Sequence, residues 1–140
     1  GLGDVYKRQG KVGLDQTKYH IPLLFFSPGR VVPGEIDKRC SQIDIAPTLL
    51  AFLKLDYESH FFGADMLKPD FQPRALIANY QKLGLLKDSD QLAILSPAKK
   101  IDLQIDERLM PLDSDSSFAQ ELMAYYQGAD YILNHRLNRW

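Results

Sequence analysis

The stretch "HIPLLFFSPG" contains a continuous apolar run, Ile21 to Phe26, that shows no alternation and is stopped by Ser-Pro-Gly. A strand with one face in water alternates apolar and polar side chains, so an unalternating run needs cover on both faces. A run this short between breakers suits a strand better than a helix. It predicts a strand buried in a parallel sheet, and with it an α/β fold.

The next element is set by a proline. In "SQIDIAPTLLAFL", Pro47 stands in front of Leu49, Leu50, Phe52 and Leu53, which give a helix a broad apolar face. The first N–H groups of a helix have no intrahelical acceptor, so a residue without an N–H loses nothing there. Asp44 is read as the N-cap, which puts Pro47 in the first turn with its φ preset, and Ser41 as the cap of a tight turn leading in. Ahead of these elements, "GKVGLDQTKY" reads as a polar loop. After them, "YESHFFGADML" reads as a loop with a glycine turn and an aromatic pair.

The remaining chain changes period. "RALIANY" alternates weakly, "DQLAILSP" carries an apolar run, and "KKIDLQID" places Ile101, Leu103 and Ile105 on one side. These predict a small antiparallel sheet, half exposed to water. A closing helix follows, with Ser117 and Gln120 as a capping box. Phe118, Leu122, Tyr125, Tyr126, Ala129, Ile132, Leu133 and Leu137 form its apolar stripe. His135, Arg136 and Arg139 fall in its last turns, where positive charge suits the helix dipole. The order is strand, helix, small sheet, helix.

Composition narrows the function classes. With 17 basic and 18 acidic residues among 140, the net charge of −1 gives no field that would draw nucleic acid or an anionic membrane. Cys40 is the only cysteine, which excludes an internal disulfide and a cysteine-based zinc cluster. The apolar runs are too short to cross a bilayer. The opening "GLGDVYKRQ" reads as a non-native, adapter-like leader over residues 1–9, with the natural sequence starting near Gly10.

No complete catalytic constellation can be read from the residues. There is no Gly-x-Ser-x-Gly, Walker loop or dinucleotide fingerprint, and His20, His60 and His135 are far apart. Thr48, beside Pro47, is expected to bond locally to backbone. Cys40 has no activating neighbour and reads as a small packing residue. Phe61 and Phe62 with His60 read as local packing. His20, at the lip of the apolar run, and Lys11, in the loop before it, are the two candidates for contact with an anionic substrate.

"KYHIPLLFFSPG", "SQIDIAPTLLAFL" and "YESHFFGADML" together resemble the C-terminal part of the sulfatase-like branch of the alkaline phosphatase superfamily. The nearest likeness is to lipoteichoic acid synthase-like and phosphoglycerol transferase-like membrane proteins. "RALIANYQKLGLLKDSDQLAILSP" is similar to that branch's C-terminal small sheet, and "AYYQGADYIL" to its closing helix. The resemblance spans roughly residues 10–137.

It implies an alkaline phosphatase-like α/β fold, with buried parallel strands, helices, a small antiparallel sheet and a closing helix. Residues 10–70 would belong to the catalytic domain, and residues 71–140 would supply the small sheet and closing helix of the same domain. It implies a parent enzyme in which a Thr, Ser or modified Cys attacks a phosphate or sulfate ester. A divalent metal of manganese, zinc or calcium type would assist, held by acidic residues and an Asp-His pair.

The nucleophile would lie well upstream, and the Asp-His pair just before Gly10. Cys40 lacks the Cys-x-Pro-x-Arg pattern of a sulfatase nucleophile. The resemblance therefore assigns this chain no catalytic residue and no metal ligand, and leaves substrate contact to His20 and Lys11. It also implies a parent anchored in the cell membrane by an N-terminal segment, with an extracytoplasmic catalytic domain. The rival expectation is a stand-alone module whose sheet and aromatic loop bind a glycan or lipid headgroup without catalysis.

Overall fold

The computed structural model describes residues 14–60, 62–87, 90–106 and 108–137. Two 3₁₀ turns, Gln16–Tyr19 and Gln42–Asp44, precede helix α1 (Ile45–Phe52). Five strands follow: β1 (Arg74–Ala78), β2 (Leu83–Lys87), β3 (Gln91–Leu95), β4 (Ile101–Ile105) and β5 (Arg108–Pro111). Helix α2 (Ser117–Asn134) closes the chain. The sheet is a simple meander, β1-β2-β3-β4-β5, with every neighbouring pair antiparallel.

The antiparallel sheet and closing helix match the reading of the sequence. The parallel strand does not. Ile21 to Phe26 form no strand, and Leu24 and Phe26 are 84% and 83% exposed. All the described strands pair with one another in the meander, and none lies beside this run. An apolar run cannot hold a strand without hydrogen-bonding neighbours.

The sheet is also less exposed than expected, because both faces are covered. On one face Leu85, Ala93 and Ile101 pack against Ala119 and Leu122 of α2. On the other, Ile77, Leu86, Leu92 and Ile94 pack under Leu14, with Tyr19 and Ala75 at the margin. The cross-strand register explains the split: Leu76, Leu85, Ala93 and Leu103 stand opposite one another on the helix side. Ile77, Gly84, Ile94 and Asp102 form the next row, on the other side. Gly84 makes room for Leu14, since a Cβ there would lie 2.8 Å from Leu14 Cδ1. Gln104 Nε2 donates to Leu14 O at 3.3 Å, and Tyr19 Oη donates to Ala78 O at 2.9 Å, fastening the segment down.

The outer edge of β1 is occupied. Arg74 N–H donates to Arg39 O at 3.2 Å, and Leu76 N–H donates to Ser41 Oγ at 2.7 Å. With Tyr19 on Ala78 O, three outward-facing groups of β1 find partners without another strand. β5 is exposed along its whole length and ends at Pro111.

Both helices stop in the same way. Lys54 (φ 55) and Arg136 (φ 56) adopt the left-handed conformation just past α1 and α2. Leu55 N–H then reaches Leu50 O, and Leu137 N–H reaches Ile132 O, each at 3.0 Å. This is the Schellman arrangement, made here without glycine. At the start of α2 the cap is Ser116, whose Oγ accepts from Ala119 N–H at 3.2 Å. The capping box expected from Ser117 and Gln120 is not formed. Ser117 lies inside the helix, and Gln120 Nε2 turns back to Asp115 O instead.

Candidate functional site

The most deeply buried polar cluster among the described residues is centred on Asp44, which is fully buried. It lies at the end of the second 3₁₀ turn, in helical conformation, and its side chain does not cap α1. Asp44 thus holds the N-cap position of α1 as expected, but without a side-chain bond to the α1 N–H groups. The turn Gln42–Asp44 winds into α1 without an extended residue between them, so the Asp44 carboxylate is aimed away from the α1 N–H groups and toward other partners.

Those partners are numerous. Oδ2 accepts from Ser41 N–H and from Arg74 Nη1, at 2.8 and 2.7 Å. Oδ1 accepts from Ala64 N–H and from Arg74 Nη2, at 2.8 and 2.9 Å. A buried carboxylate survives when each lone pair is met and a cation faces it, and both conditions hold here. Burial works to raise the Asp44 pKa, but the Arg74, Ala64 and Ser41 hydrogen bonds outweigh it and hold the carboxyl below its ordinary value.

Arg74, at the start of β1, is 5% exposed. Its Nε donates to Tyr125 Oη of α2 at 2.7 Å. Its guanidinium lies 5.6 Å from the Phe71 ring centre and 5.4 Å from that of Tyr125, within cation–π range. Burial would lower its pKa, yet Asp44 and Tyr125 raise it, so the group stays charged.

Thr48 completes the cluster one turn into α1. Its hydroxyl donates to Asp44 O at 2.6 Å, which is the local backbone bond expected of it, and also accepts from Met66 N–H at 3.0 Å. Pro47 falls in the first turn of α1 as expected, and is buried. Gly63 allows the 62–66 turn to approach: a Cβ there would stand 1.9 Å from Ile43 O. Two stretches singled out in the sequence, "QIDIAPT" and "FGADM", thus form one interlocked unit with Arg74 and Tyr125.

A groove of about 610 Å³ opens over this unit. Pro47, Ala51 and Leu55 line one wall, Phe62 to Asp65 another, and Arg74 and Tyr125 the floor. Tyr57, Lys68, Asp70 and Gln72 stand at its margin. At its floor the Arg74 charge faces Asp44 and the Tyr125 hydroxyl accepts from Arg74 Nε, while Asp65, Lys68 and Asp70 are the other charged side chains of the lining. Among the described residues, no group of three or more His, Cys, Asp or Glu is placed to hold a metal ion.

Of the two substrate-contact candidates, only His20 falls among the described residues, and it is not part of this unit. His20 is exposed at the end of the first 3₁₀ turn, and does not line the groove. Lys11 lies outside the described residues. His60 is exposed, and Phe62 faces the groove. Cys40 is half-buried; burial and the Asp44 charge push its thiol pKa up, with Arg74 opposing, so it is no activated thiolate. Arg74 escaped the sequence reading. It opens a weakly alternating segment, and nothing local announces that its partner lies thirty residues upstream at Asp44.

Comparison with protein-family models, with curated proteins and with solved structures finds no match to this chain.

Proposed function

We propose that the chain is the C-terminal part of a sulfatase-like, metal-dependent enzyme that transfers phosphoryl or phosphoglycerol groups, or hydrolyses phosphate or sulfate esters. In this reading the present residues supply scaffold and perform no chemistry alone. The observation that carries it is the contrast between two regions. Apolar side chains of β1 to β4 and of the first turns of α2 pack in clusters on both faces of the sheet, whereas Ile21, Leu23, Leu24 and Phe26 are all exposed within one short run. An apolar run left open beside a closed unit is what a strand of a larger parallel sheet presents when its neighbours are missing. The interlocked "QIDIAPT" and "FGADM" stretches, which carry the family resemblance, support the same reading as a structural brace.

In the parent, an alkaline phosphatase-like fold would place Ile21–Phe26 as a parallel strand, with His20 and Lys11 near an anionic ester. The divalent metal would be held by residues upstream of Gly10, and the membrane anchor would also lie there. Reading the coding sequence upstream of Gly10 is the direct test. The expected result is an Asp-His pair immediately before Gly10 and a Thr, Ser or Cys nucleophile further upstream; an unrelated sequence there overturns the proposal. The chain alone is expected to turn over neither a phosphodiester nor a sulfate ester with manganese, zinc or calcium ions. Metal-dependent turnover by residues 10–140 would show that the chemistry resides here.

The groove favours a second reading, a glycan- or headgroup-binding module. Tyr57 and Phe62 offer aromatic surface for a sugar face, and Asp70, Lys68 and Gln72 offer hydrogen-bonding groups at the margin. Titrating the chain with oligosaccharides and with glycerophosphate while following the Tyr57 and Phe62 ring resonances separates the two. Saturable shifts favour the module, and unchanged spectra favour the scaffold.

A further inference from the structure

We draw no further inference here: the strongest candidate, the groove between α1, the 62–65 turn and α2, belongs to the site already described, and its one deeply buried cation, Arg74, is held by Asp44 and Tyr125.

Discussion

Removing Arg74 leaves Asp44 as a buried charge with no counterion. Breaking a buried ion pair in this way costs about 3–5 kcal/mol, far more than an exposed pair. Arg74→Met is therefore expected to lower the urea midpoint sharply, and Arg74→Lys to recover only part of the loss, because an ammonium is a point charge that cannot reproduce the paired bonds to Asp44 together with the bond to Tyr125. The pair also fixes a pH dependence. The folded pKa of Asp44 is depressed, so its contribution is complete above the unfolded carboxylate value of about 4 and is lost as pH falls through the folded one. Denaturant unfolding of the parent chain and of Asp44→Asn should show a stability gap at neutral pH that narrows in acid. A gap that stays constant down to acid would mean that the carboxylate charge contributes nothing to the fold.

Two glycines, Gly84 inside β2 and Gly63 in the 62–66 turn, differ in what surrounds them, and the difference is measurable. At Gly84 an added Cβ meets only the ends of side chains, Leu14, Leu92 and Ile77, at 2.8 to 3.1 Å. At Gly63 it meets the backbone carbonyl of Ile43 at 1.9 Å. Side-chain ends can shift and a carbonyl within a folded turn cannot, so Gly63→Ala is expected to cost more than Gly84→Ala. Overpacking of the Gly84 kind costs about 1–3 kcal/mol. Thermal unfolding of the two variants checks the order. At the helix ends, Lys54→Gly is expected to raise stability by about 1 kcal/mol or less, since glycine adopts a positive φ without the Cβ clash.

The legible elements were those whose period is set by local packing. β4 alternates because one side of it meets α2, and the α2 stripe repeats because one side of it meets the sheet. β2, "LGLLK", was hidden because it is buried on both faces and broken by Gly84, which removes the alternation that marks a half-exposed strand. β5 was hidden for the opposite reason, being short, exposed throughout and ended by proline. Ile21–Phe26 misled because an apolar run records a need for cover and does not say which segment provides it. The same gap hid Arg74, since a contact between residues 44 and 74 has no local period. The stretches "QIDIAPT" and "FGADM" stood out in the sequence, and only the folded chain showed that Asp44, Ala64 and Arg74 join them.

For the whole molecule, the exposed apolar residues are concentrated ahead of the sheet. Ile21, Leu24, Phe26 and Val32 are each more than half exposed, on one irregular segment. Such a surface favours self-association. The double change Leu24→Asp and Phe26→Asp is expected to reduce association in light scattering while leaving the unfolding temperature nearly unchanged, because neither side chain belongs to a core cluster. A large fall in unfolding temperature would mean that the segment packs against the core after all. None of the described helices is long and apolar enough to cross a membrane.

The asymmetry of the sheet margins limits how copies could add to one another. Arg39, Ser41 and Tyr19 already engage three outer groups of β1, which leaves β5 the more open margin for strand addition. A building block with two open margins can polymerise without end, but one with a single open margin pairs once and then has nothing left to offer. Growth through the sheet would accordingly favour pairs over open-ended stacks, and the exposed apolar segment ahead of the sheet is a separate surface through which copies would cluster.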